Sequence, residues 1–89
     1  MGVVVSEVKK AEAGDDLVIR LYETEGTKCT AAVEVEAAIF GQVESIRETD
    51  LLERPLDKGT ARVKGNGFTV EMPAYGIATV RVTFKRAGA

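Results

Sequence analysis

Residues 15–26 read DDLVIRLYETEG, and this stretch decides the fold because a run of strand-forming residues lies between two turn signals. Side chains alternate between the two faces of a strand, so Leu17, Ile19 and Leu21 share one face. On the opposite face Arg20 lies between two further apolar side chains. A segment that is apolar on both faces is typical of a central strand with both faces covered.

The rest of the chain shows the same alternation in short segments separated by turn residues. Further strands are predicted over residues 3–9, 28–37, 43–46, 60–64, 68–72 and 77–84. Tight turns are predicted at residues 10–15 and at Gly65-Asn66-Gly67. Six to eight short strands without a convincing helix predict an all-β fold, a small antiparallel β-sandwich that forms a single domain over residues 1–89.

Composition excludes several classes of partner. The chain has 89 residues, with 12 basic and 14 acidic side chains interspersed along it and a net charge of −2. This pattern predicts no binding to nucleic acid or to an anionic membrane surface. The single cysteine, Cys29, excludes an internal disulfide and suits a reducing compartment, so a cytoplasmic location is expected.

Residues for autonomous catalysis are missing from the sequence. The chain has no histidine, and a lone cysteine without histidine lacks the base that activates a thiol. Cys29 is instead predicted to face the core together with Val33. Glu34 and Glu36 lie on the polar side of their predicted strand, where they are expected to be solvated rather than to form an acid–base pair. We therefore predict no catalytic, cofactor-binding or metal-binding residue in this chain.

Two tyrosines leave a binding role open. Many sugar-binding sites stack the ligand on flat aromatic rings, and Tyr22 and Tyr75 are candidates for a small platform of this kind. A tyrosine at an interface between domains is an equally good interpretation, because its ring packs while its hydroxyl forms a hydrogen bond.

The order of four motifs resembles a known family. Residues 4–12 (VVSEVKKAE) and 16–23 (DLVIRLYE) resemble the "vvsavK" and "RLYE" strands of the last β-sandwich in family 38 glycoside hydrolases, the α-mannosidases. Residues 50–53 (DLLE) and 73–82 (PAYGIATVRV) resemble its "DLLE" segment and its last strand, "PFEIKTLRL". The chain departs from the family at Gly76, where a glutamate is frequent, so no role of that acid is carried over.

The resemblance implies a non-catalytic accessory domain of an intracellular α-mannosidase of bacterial or archaeal type. The aspartate nucleophile, the acid–base residue and the ligands of a divalent metal, zinc, belong to another domain and match nothing here. The implied partner is the remainder of the parent chain, and mannose-containing glycans are reached through that enzyme. An independent carbohydrate- or protein-binding β-sandwich is the alternative.

Arg20 leads to a hypothesis about the covered face of the central strand. A guanidinium among apolar neighbours needs a planar acceptor, and Glu23 is three residues away and is therefore predicted to face the other side. Glu53, in the loop that contains the "DLLE" segment, is the predicted partner, and the alternative is that both side chains are solvated. Arg20, Tyr22, Glu53 and Tyr75 are thus predicted to be structural or interface residues.

Overall fold

The chain forms two packed antiparallel sheets in a computed structural model that describes residues 2–10, 16–50 and 59–85. The elements are β1 (Val3–Lys10), β2 (Leu17–Glu23), β3 (Cys29–Glu34), α1 (Ala37–Phe40), β4 (Val43–Thr49), β5 (Arg62–Lys64), β6 (Gly67–Met72) and β7 (Ile77–Phe84). One sheet has the order β1-β2-β7-β4 and the other the order β3-β6-β5. The predicted all-β sandwich is confirmed, with seven strands in the described part of the chain.

Strand β2 is central, as the alternation in residues 15–26 predicts. It pairs with β1 on one side and with β7 on the other. Leu21 lies opposite Ala78 and Ile19 opposite Val80, and all four side chains are buried on the inner face. These apolar cross-strand pairs hold the four-stranded sheet to the second sheet, because each buries its surface against the facing layer.

The second sheet supplies the other half of the core through β6. Phe68, Val70 and Met72 alternate along this strand and are almost completely buried. On the neighbouring strand β3, Ala31 is buried, whereas Cys29 is half-buried and packs against the edge of the core. The predicted inward direction of Cys29 is therefore confirmed.

Two predicted strands are shorter than the sequence pattern indicates: β5 begins at Arg62 rather than at residue 60, and β3 ends early. Strand β3 ends at Glu34, whereas the alternation predicted a strand up to residue 37. The single turn of α1 follows, closed by a hydrogen bond from the amide of Gly41 to the carbonyl of Ala37 (2.9 Å). The chain has to leave one sheet here to start β4 in the other, and this change of layer overrides the continuing alternation. No described helix is long and apolar enough to cross a membrane.

The predicted hairpin at Gly65-Asn66-Gly67 is confirmed. Lys64 pairs with Gly67, so Gly65 and Asn66 form a two-residue turn between β5 and β6. Gly65 adopts a φ of 58°, which favours glycine, and Gly67 has no room for a Cβ because the carbonyl oxygen of Val33 lies against it. Most of the predicted turn at residues 10–15 lies outside the described residues. The same holds for part of the "DLLE" segment.

Four connections between successive strands cross from one sheet to the other. They link β2 to β3, β3 to β4, β4 to β5 and β6 to β7. The connections β2–β3 and β6–β7 join two pairs of hydrogen-bonded neighbours, so they run side by side at one end of the sandwich. The β2–β3 and β6–β7 crossings leave sheet hydrogen bonding for several residues, so their backbone amides need other acceptors at this end of the fold.

Candidate functional site

The most distinctive polar centre is the buried carboxylate of Glu23, at the end of β2. Its side chain has 0% exposure and lies on the inner face with the core. Oε1 accepts hydrogen bonds from the amides of Gly26 (2.7 Å), Thr27 (3.1 Å) and Tyr75 (2.9 Å), and Oε2 accepts one from the amide of Glu25 (3.0 Å). One side chain thus binds both the β2–β3 and the β6–β7 connections.

The two connections have the backbone shapes that this arrangement requires. Gly26 has a φ of 75° and Tyr75 a φ of 54°, and these positive values turn successive amides toward one point. The ring of Tyr75 lies against Gly26 and would collide with any Cβ there. The backbone of Glu23 adds a further link, because its amide donates to the carbonyl of Gly76 (3.0 Å).

These hydrogen bonds keep Glu23 ionised. The amide of Tyr75 lowers the pKa of the Glu23 carboxyl most strongly, and the amides of Glu25, Gly26 and Thr27 lower it further. Burial raises the pKa but is outweighed, so the net pKa lies below the ordinary value of 4.5. A buried negative charge is tolerated here because four backbone donors replace the water it has lost.

Two other polar side chains hold the remaining crossings. The amide group of Asn66 donates to the carbonyls of Val35 (2.8 Å) and Gly41 (3.1 Å), and its oxygen accepts from the amide of Val43 (2.8 Å). Asn66 lies in the hairpin between β5 and β6, and its side chain therefore holds the β3–β4 connection in place. Glu48 of β4 accepts hydrogen bonds just before β5, from the amide and hydroxyl of Thr60 and from the amide of residue 61.

Arg20 has a described partner other than the one predicted. Its Nη1 lies 3.1 Å from Oε1 of Glu7 on the neighbouring strand β1, and Glu7 is directly opposite in the strand register. The Nε atom of Arg20 is buried and has no hydrogen-bond partner in the described part of the chain. Glu53 lies outside the described residues, so its pairing with Arg20 remains a prediction.

The face that carries Arg20 is covered only in part. Val18 and Thr79 are buried on it, in agreement with the prediction that this face is covered. Tyr22 lies on the same face but is partly exposed, in one row with Val4 of β1 and Ile77 of β7. This face is thus covered near the middle of the strand, whereas cover at the end that carries Tyr22, a predicted interface residue, remains a prediction.

The two tyrosines lie in different settings. Tyr22 stands on the outer face of β2, whereas Tyr75 lies in the β6–β7 turn with 62% of its surface exposed. Tyr75 contributes its backbone amide to Glu23, whereas the interface role predicted for its side chain remains a prediction. Elsewhere on the outer face, Asp16 accepts from Nε of Arg81 (2.7 Å) and from the hydroxyl of Thr83 (3.1 Å), linking the start of β2 to β7.

The acidic side chains of the described residues do not form a metal site. Within residues 2–10, 16–50 and 59–85, no group of three or more histidine, cysteine, aspartate or glutamate side chains could hold a metal ion. Glu34 and Glu36 are exposed, as predicted. Glu23 has its carboxylate oxygens committed to backbone amides, so it is not placed to act as an acid or a base on a ligand.

Comparison with known proteins agrees with this architecture. The family described as the glycosyl hydrolases family 38 C-terminal beta sandwich domain matches residues 2–85. The chain therefore belongs to this family of C-terminal β-sandwich domains, and such a domain is part of a larger parent chain. No curated protein matches the chain.

Glu23 is the functional residue that sequence reasoning missed. The alternation that places Leu17, Ile19 and Leu21 in the core also places Glu23 there, and a charged side chain on a core face requires partners. Gly26, three residues later, indicates the tight turn that supplies them. Nothing in the sequence indicated that the amide of Tyr75 would also bind Glu23, because only the folded topology brings the β6–β7 turn to this position.

Replacing Glu23 by glutamine is expected to destabilise the fold in a pH-dependent way. The lowered pKa means that ionised Glu23 stabilises the protein above about pH 4.5 and that this contribution is lost as the pH falls through the folded-state pKa. In urea unfolding between pH 7 and pH 3, Glu23→Gln should be clearly less stable at pH 7, and its difference from the native chain should shrink toward pH 3. The matched control is Glu71→Gln, an exposed glutamate on β6. A difference that stays constant with pH would contradict this account.

The Arg20–Glu7 pair is expected to contribute only modestly to stability. The Glu7 side chain is 43% exposed, and such pairs typically couple by about 0.2–1 kcal/mol. A double-mutant cycle with Arg20→Met and Glu7→Gln, measured by denaturant unfolding, gives this coupling energy. A parallel cycle with Glu53→Gln tests the pairing predicted from sequence. A coupling energy within about 0.2 kcal/mol of zero for Arg20–Glu7, or within about 0.5 kcal/mol for Arg20–Glu53, would mean that the respective pair does not form.

Proposed function

We propose that this chain is a non-catalytic β-sandwich that supports the catalytic domain of a family 38 α-mannosidase in the hydrolysis of α-mannosidic linkages. The observation that carries the proposal is the family match over residues 2–85, which assigns the fold to the C-terminal position of a larger chain. The hydrogen bonds of Glu23, Asn66 and Glu48 point the same way, because these side chains bind the protein's own backbone.

The support would come from a rigid surface. Glu23, Asn66 and Glu48 fix the crossings between the sheets, so the fold can present the same faces to a neighbouring domain without rearrangement. An interface between rigid partners loses less conformational freedom on association than one formed by mobile loops. Tyr22 and Tyr75 are partly exposed and are proposed as residues of such an interface.

Chemistry is proposed to reside in the remainder of the parent enzyme. The divalent metal, the nucleophile and the acid–base residue would belong to the catalytic domain, and mannose-containing glycans would be bound there. The enzyme would act in the cytoplasm, which agrees with a single unpaired cysteine in this chain.

The proposal predicts that the isolated chain is inactive but stabilises a truncated enzyme. Alone, it should hydrolyse no 4-nitrophenyl α-mannoside, with or without added zinc. Added to a family 38 α-mannosidase from the same genome that lacks its C-terminal sandwich, it should protect that enzyme against thermal inactivation. At a hundredfold excess over Kd the stabilisation amounts to about 2.7 kcal/mol.

The outcome distinguishes two classes of function. No protection of the truncated enzyme, together with saturable binding of manno-oligosaccharides to the isolated chain in calorimetric titration, would contradict the proposal and favour an independent sugar-binding module. If the isolated chain hydrolysed the α-mannoside and this activity copurified with it through successive columns, both the supporting role and the sugar-binding role would be contradicted.

A further inference from the structure

The two sheets of the sandwich differ in width, and the wider sheet overhangs the narrower one. Strand β1 is the edge of the four-stranded sheet, and it lies beyond β2, whose inner face packs on β3. Val5 and Val8 of β1 point to the inner side, because they pair with the buried residues Leu21 and Ile19 of β2. Yet Val5 is 53% and Val8 51% exposed, so no strand of the second sheet in the described ranges covers them.

The overhang forms one side of an apolar groove of about 190 Å³. The opposite side of the groove is formed by Val33 of β3 and by Val35, which follows β3, and Phe40 of α1 also lines the groove. This lining is almost wholly aliphatic or aromatic, in contrast to the polar crossings at the ends of the sandwich. We refer to it as the β1–β3 groove.

The β3 side of the groove also presents backbone hydrogen-bonding groups. In the described part of the chain β3 pairs with β6 only, so its other edge carries backbone N–H and C=O groups without a strand partner. A row of such groups is matched by another extended backbone, which adds to the sheet by main-chain hydrogen bonds. The overhang has the width of one strand, about 4.8 Å in the hydrogen-bonding direction.

We infer that an extended strand from the preceding part of a family 38 α-mannosidase chain occupies the β1–β3 groove and adds to β3 as a fourth strand. This inference rests on the proposed function and specifies which surface carries it. The family places this domain at the C-terminal end of a larger polypeptide, so a chain from which such a strand can come lies outside the structure.

The chemistry of the groove defines the incoming strand. Every second side chain should be aliphatic, since Val5, Val8 and Val33 line the side on which the strand would bury its inner face. Glu34 lines the groove and is exposed, so a lysine or arginine is expected where the strand passes it. Addition of the strand would bring the second sheet to four strands and cover the exposed valines of β1.

The test uses the full 89-residue chain and, as the probe, the family 38 α-mannosidase chain of the same genome truncated before its C-terminal sandwich. Binding is measured by biolayer interferometry for the native chain, for Val5→Lys with Val8→Lys, and for the control Val63→Lys. Val63 is 49% exposed on β5, at the far edge of the second sheet, and so matches the groove valines in exposure. Circular dichroism melts confirm that each variant is folded.

We expect the paired lysine variant to weaken binding by at least about tenfold and the Val63→Lys control to bind as the native chain does. Hydrogen exchange should show new protection of amides within β3 when the probe is bound. Equal binding of the groove variant, or binding without protection of β3, would overturn the inference while leaving the proposed function in place. Self-association of the isolated chain that the lysine pair abolishes would overturn the choice of occupant. Failure of the native chain to bind would instead count against the proposed function.

Discussion

The fold depends on one buried negative charge. Glu23 ends the central strand and accepts four backbone hydrogen bonds from two connections that would otherwise leave their amides unpaired at the end of the sandwich. The Tyr75 amide comes from a residue 52 positions away in sequence, so the carboxylate closes a long loop between the layers. Without it, four amides of the β2–β3 and β6–β7 crossings would lose their acceptor, and only strand pairing, one backbone hydrogen bond from Glu23 to Gly76 and the apolar core would hold the crossings together.

Apolar and polar side chains also have separate structural roles elsewhere in the described part of the molecule. Apolar side chains of β2, β6 and β7 bind the sheets face to face, while Asn66 and Glu48 satisfy backbone groups where the chain changes layer. Because Glu23, Asn66 and Glu48 serve the fold itself, the exposed apolar residues and the strand edges are the surface features best suited to contact with a neighbour. That distribution agrees with a domain that works through contact with a neighbour, in the family of C-terminal sandwiches to which the chain belongs.

The sequence predicted the periodic parts of the fold and failed where distant segments meet. Alternation identified β2 as central, and the glycines around Asn66 identified the hairpin, because both signals are local. Strand β3 was overextended because alternation continues past Glu34, where the crossing to β4 needs a helical turn. The role of Glu23 was missed although its position in the alternation was visible, since its partner Tyr75 is brought near only by the sheet order.

Titration of Glu23 by NMR tests the central claim most directly. With the side-chain carboxyl labelled with ¹³C, its resonance should titrate with a pKa below the ordinary 4.5, and the amide resonances of Gly26, Thr27 and Tyr75 should move on the same curve. A matched reference is Glu71, an exposed glutamate of β6. A pKa of Glu23 at or above 4.5, or a Tyr75 amide that does not follow its titration, would show that the ionised carboxylate does not hold the two crossings together.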